Sequence, residues 1–124
     1  MKNILLVGVG GFIGSSGRYV MGKIIHNHIN TTFPLGTLMV NLIGSLLLGM
    51  IFSLVENRGL SSIEFRLFFA VGICGGFTTF SSFANENFLF IRDGNFLTPL
   101  LYSALSLFVG IFFVYLGYTF IKNI

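Results

Sequence analysis

Charge is what this sequence lacks most. Only 9% of its 124 residues are Asp, Glu, Lys or Arg, where a soluble domain carries about 25%. So few charges cannot cover a water-facing globule, and with 54% hydrophobic residues the composition argues for a membrane protein. Clustered Lys and Arg are also missing. The seven basic residues are scattered, which removes a nucleic-acid footprint. A second cysteine is missing: Cys74 stands alone, so no disulfide forms within the chain. Long polar stretches are missing too, and no extramembrane domain is expected that could house a soluble enzyme.

What remains is four charge-free runs, residues 3–17, 24–55, 67–85 and 94–121. A helix needs roughly 20 apolar residues to cross a hydrocarbon core of about 30 Å. The runs predict an all-α membrane protein, a single domain over 1–124. Its four transmembrane helices fall at about 4–25, 34–55, 62–91 and 97–121.

The first span is glycine-rich. Gly10 and Gly14 form a small-xxx-small pair, which lets helix backbones approach closely in lipid. Gly8, Gly11, Gly14, Gly17 and Arg18 interrupt its apolar run, so it is not expected to be a cleavable signal. Gly8, Gly11 and Gly14 also imitate a nucleotide-binding turn, and Tyr118 and Lys122 imitate a dehydrogenase pair. That reading fails on context. A dinucleotide fold needs an acidic residue about 20 positions on, and the next acid is Glu56. Lys23 is expected to snorkel to the interface. Arg18 lies deeper, a candidate for drawing anions into a vestibule or for a structural ion pair.

In the second span Thr32 is placed to cap and Pro34 to sit in the first turn. Asn41 is its one strongly polar side chain, and Gly44, Ser45 and Gly49 follow as a packing strip. Ser61 and Glu64 have capping-box spacing, so the third helix is expected to begin near Ser62. That helix then meets Gly72-Ile-Cys-Gly-Gly-Phe-Thr-Thr-Phe-Ser-Ser-Phe83, polar and glycine-broken where a lipid-facing helix would be smooth. A break is expected at Gly75-Gly76. Glu86 is read as interfacial, paired with a cation of a neighbouring helix. The fourth span repeats the cap-then-proline arrangement at Thr98-Pro99, and Tyr102, Ser106 and Gly110 share one helical face, with Ser103 off it.

Four spans put both termini and the 56–66 loop on one side. Lys2, Arg58, Arg66 and Lys122 then face Arg18, Lys23 and Arg92 across the membrane. Four against three is almost no orienting bias. A chain this small rarely encloses a pathway alone, so insertion both ways up and an antiparallel dual-topology homodimer are expected.

Non-helical backbone is tolerated in hydrocarbon only when buried in protein or lining a polar cavity. Glycines at 75 and 76 could free carbonyl oxygens, and oxygen-only ligands suit a hard cation. Phe80 and Phe83 share a face, and the positive edge of an aromatic ring can meet a small anion. Asn41, Thr79, Ser82 and Ser106 could add N–H or O–H donors. No Lys or Arg lies near this set, which suits conduction better than tight binding.

Gly10-Gly11-Phe12-Ile13-Gly14 with Arg18-Tyr19, then Pro34 to Asn41, then Gly72 to Phe83, resembles the Fluc (CrcB) family of fluoride channels over essentially the whole chain. The resemblance implies a dual-topology homodimer in the cell membrane with two antiparallel pores, passive export of fluoride, and hence resistance to its toxicity. It implies a structural sodium ion at the dimer centre, coordinated by the backbone carbonyls of Gly75 and Thr78. It also implies Phe80, Phe83 and Asn41 as pore residues, with a hydroxyl track at Tyr102 and Ser106. Gly110 stands where some relatives offer a further hydroxyl. The rival of the same size and topology is a small multidrug antiporter coupled to protons. That mechanism requires a membrane-embedded carboxylate, usually in the first helix, and the first span has none.

Overall fold

A computed structural model describes all residues from Met1 to Ile124. It is all-helical. Helix α1 runs over Lys2–His28 and α2 over Leu35–Asn57. Helix α3 (63–77) starts with an α-turn, widens into a π-helix over Arg66–Cys74 and closes with an α-turn at Gly75–Phe77. After two extended residues, α4 spans Phe80–Arg92 and α5 Leu97–Asn123. With α3 and α4 taken as one broken crossing, four helices are long and apolar enough to span a membrane.

Glycine organises the packing. Helices α1 and α3 lie backbone against backbone: a methyl group on Gly10 would sit 2.5 Å from the Phe68 carbonyl oxygen, and one on Gly76 2.6 Å from that of Gly11. Gly14 faces the Ile73 carbonyl in the same way. The second pair, α2 and α5, is joined reciprocally, Gly49 against the Val114 carbonyl and Gly117 against that of Leu46. Such approaches supply dispersion contacts where lipid removes any hydrophobic drive between helices. Leu38, Leu42 and Tyr102 form the core between α2 and α5, with Phe33, Phe83 and Phe113 against it. Only 16 of the 124 residues are buried. The outer faces, with Ile4, Phe12, Phe108 and Ile111 exposed, are lipid-compatible.

Several local expectations shift. Helix α2 begins at Leu35 after Pro34, without a side-chain cap, and Thr31, not Thr32, bonds its loop by accepting from the Phe33 N–H at 3.1 Å. Ser62, not Ser61, caps α3: its extended backbone lets its oxygen accept from the Phe65 N–H. Glu64 instead takes Lys2 at 3.0 Å. At the start of α5 it is Asn95 that accepts from the Thr98 N–H, at 3.1 Å.

The break also moves, from Gly75-Gly76 to Thr78-Thr79. Gly75 keeps right-handed helical angles (φ −63°, ψ −38°). Thr78 (φ −79°, ψ 157°) and Thr79 (φ −147°, ψ 119°) are extended. The glycine at 76 is spent on close approach to α1, while the β-branched threonines favour extended backbone.

Candidate functional site

At the break a groove of about 670 Å³ opens on the face of the molecule. Asn41, Gly44 and Ser45 of α2 form one wall, Gly75, Thr78 and Thr79 the floor, Phe80 and Phe83 of α4 a second wall, and Ser103 and Ser106 of α5 a third. No Lys, Arg, Asp or Glu lines it.

Each polar group has a definite position. Asn41 grips the break at two points: its Oδ1 accepts from the Thr79 N–H at 2.8 Å, and its Nδ2 donates to the Thr79 carbonyl at 3.2 Å. The buried Thr79 is the N-cap of α4, its Oγ1 accepting from the Ser82 N–H at 3.3 Å. The same hydroxyl donates to Ser82 Oγ at 3.1 Å, and Ser82 lies off the groove wall. Ser45 donates to the Asn41 carbonyl within its own helix. Ser106 is different: its hydroxyl is shielded within the chain and has no hydrogen-bond partner. Leaving a buried hydroxyl unpaired costs about 1–3 kcal/mol, so Ser106 keeps a free donor just beneath the groove wall.

Phe80 is 77% exposed and its ring centroid lies 5.7 Å from that of Phe83. Phe83 backs onto Tyr102 at 4.9 Å. Tyr102 is fully buried behind that ring, off the groove wall, and its hydroxyl donates to Glu86 Oε2 at 2.7 Å. Glu86 finds no cation. Its other oxygen accepts from Thr37 Oγ1 at 2.6 Å, because α4 leans over the first turn of α2. Gly75 is exposed on the groove floor, and a methyl there would meet nothing closer than the Ala70 carbonyl at 3.9 Å. Arg18 stands outside the groove, half-buried on α1, its guanidinium without a partner in the chain. It follows Gly17, where a methyl would lie 3.6 Å from the Phe77 ring, at the depth of the break.

The sequence set Ser103 off the face shared by Tyr102 and Ser106; instead Ser103 lines the groove with Ser106, and Tyr102 does not. The i, i+3 rule could have placed the two serines on one wall. Sequence reasoning missed Thr37. Thr37 had no such signal, since nothing near it in the chain predicts that Glu86 packs above it.

A helical chain with four helices long and apolar enough to cross a membrane, one of them broken beside a charge-free polar groove, is a multi-pass membrane protein. The family model described as CrcB-like protein, Camphor Resistance (CrcB), matches residues 5–118, and the chain belongs to that family. Curated relatives include a "Fluoride-specific ion channel FluC" of Flavobacterium psychrophilum, 36% identical over all of both chains. The protein of that name from Thermus thermophilus is 44% identical over 95% of this chain and 94% of its own. The one from Chlorobium chlorochromatii is 47% identical over 93% and 88%. These relatives lend no support to the antiporter alternative.

Proposed function

We propose that this chain is a fluoride-specific channel that lets fluoride leave the cell passively, working as an antiparallel homodimer. The observation that carries the reading is the groove: aromatic edges and an unpaired Ser106 hydroxyl at a helix break, with no charged side chain on the wall. A fluoride ion entering it exchanges water for O–H and N–H donors and the positive rims of Phe80 and Phe83. No Lys or Arg side chain lines the wall to trap the ion, so it can leave, as conduction requires. Tyr102 serves from behind, holding the Phe83 ring and tying α5 to α4 through Glu86. Arg18, outside the groove, raises the local anion concentration at a vestibule.

The dimer follows from the cost of leaving this groove against lipid. Extended backbone at Thr78 and Thr79 and the side chain of Asn41 need protein or water over them. A second copy in the opposite orientation supplies both, and the near-even Lys/Arg distribution gives neither orientation an advantage.

The fit for sodium is good. In an α-helix the Thr79 N–H would bond the Gly75 carbonyl, but it is taken by Asn41. Gly75 and Thr78 therefore offer carbonyl oxygens on an exposed floor, the donor type a hard cation accepts. Two copies meeting there would hold the ion between four carbonyls, where it would bind the break segments together.

Fluoride efflux from liposomes containing the purified protein tests the reading. Rapid efflux into fluoride-free buffer, with chloride retained, is expected. Liposomes that hold their fluoride despite a folded dimer would defeat it.

A further inference from the structure

We infer that Asn41 is a positioning residue for the carbonyl floor of the groove, acting through the Thr79 backbone. The inference deepens the channel reading above and rests on it. Both polar ends of the carboxamide are engaged by the backbone of one residue: Oδ1 takes the Thr79 N–H at 2.8 Å and Nδ2 gives to the Thr79 carbonyl at 3.2 Å. This pair of bonds has one self-consistent orientation, since an N–H cannot bond the amide nitrogen nor a carbonyl the amide oxygen.

The consequence lies four residues upstream. Thr79 is the residue whose N–H would close the last α-turn on Gly75. With that N–H drawn sideways to α2, the Gly75 carbonyl is released to the exposed floor, and the chain at Thr79 is held extended (φ −147°, ψ 119°). The same hold sets where α4 begins, because Thr79 then caps the Ser82 N–H and Phe80 emerges on the groove wall. One side chain on α2 thus fixes both the cation's ligands and the first aromatic ring. Packing supports the register: Gly44, three residues along the same helix, lies so close to Thr78 that a methyl there would strike the threonine methyl.

The test separates this role from direct donation to fluoride. Thermal stability of the purified dimer is measured across a sodium titration, with N-methylglucamine as the replacement cation, for the wild type, Asn41→Ala, Asn41→Asp and Ser106→Ala. The wild type and Ser106→Ala should show the same sodium midpoint. Asn41→Ala should need at least tenfold more sodium, or lose the response, because Gly75 regains its N–H partner. Asn41→Asp still accepts from the Thr79 N–H but turns an oxygen, not an N–H, on the Thr79 carbonyl, so its sodium midpoint should fall between those of the wild type and Asn41→Ala while fluoride flux falls. A normal sodium response in Asn41→Ala with reduced flux overturns the proposal and makes Asn41 a donor only. A wild type that ignores sodium sinks the cation reading and this proposal with it, while leaving flux through Phe80 and Phe83 standing.

Discussion

The two halves of the molecule are built by opposite rules. The helix pairs α1/α3 and α2/α5 are closed by glycines set against carbonyls, with no room for a methyl group at Gly10, Gly49, Gly76 or Gly117. The region around the break is open: α4 has no buried residue, Phe80 and Gly75 face outward, and the Ser106 hydroxyl waits without a partner. The first region joins its helices through backbone contact within the chain. The second sets polar groups, extended backbone and aromatic rings on an open groove. A membrane protein this small can therefore use a tightly closed frame to present an open polar surface.

That contrast can be broken from either side. The largest effect should come from the closed half. Gly117→Val drives a branched side chain into the Leu46 carbonyl, and overpacking of this kind costs about 3 kcal/mol. Loss of monodisperse protein in size-exclusion chromatography is the expected result, and an unchanged profile would mean the pair is looser than its geometry. Next come the aromatic walls. Phe83→Ile should lower fluoride flux at least tenfold, and Phe80→Ile somewhat less, because Phe83 also leans on Tyr102 at 4.9 Å. Both should leave the size-exclusion profile unchanged, and normal efflux from both variants would remove the aromatic role. Ser106→Ala should lower flux several-fold yet leave the thermal midpoint level or raised, since it deletes an unpaired buried hydroxyl; a marked destabilisation would reveal a partner within the fold. Smallest of all is Lys2→Met, which cuts an exposed ion pair with Glu64. Such pairs contribute little, so neither melting nor flux should move measurably.

The spans were legible because charge is so scarce that each interruption marks an interface. Gly10 and Gly14 were legible as a packing strip for the same reason that glycine has no other use on an apolar helix. The break could be read to within three residues but not placed. Glycine is permissive in general, and only the packing of Gly76 on Gly11 reveals that its freedom was used for contact. The partner of Glu86 was out of reach. Pairing it with a cation was the default, yet two hydroxyls, Thr37 and Tyr102, do the work, from helices whose approach depends on the whole tertiary arrangement. Thr79 was legible as a polar group on the groove, whereas Ser82 stands off its wall, and the bond between them followed only once the chain was seen to restart as a helix at Phe80.

The π-helical stretch from Arg66 to Cys74 has a consequence for how this protein tolerates changes in length. A wide turn holds more residues than an α-turn, so the stretch stores slack in the chain. A step in an α-helix turns the chain by about 100°, and a step in the wider π-turn by less. Removing one residue there and letting the segment tighten to α-turns offsets the lost step, so Gly75 should stay at the groove floor and Gly76 against α1. Tolerance should therefore be uneven: a single deletion within 66–74 should preserve fluoride efflux, and deletion of Ala84, in regular α-helix, should break the bonds of Glu86 to Thr37 and Tyr102 and lower it. The slack acts as a reserve that keeps the two faces of one helix in phase.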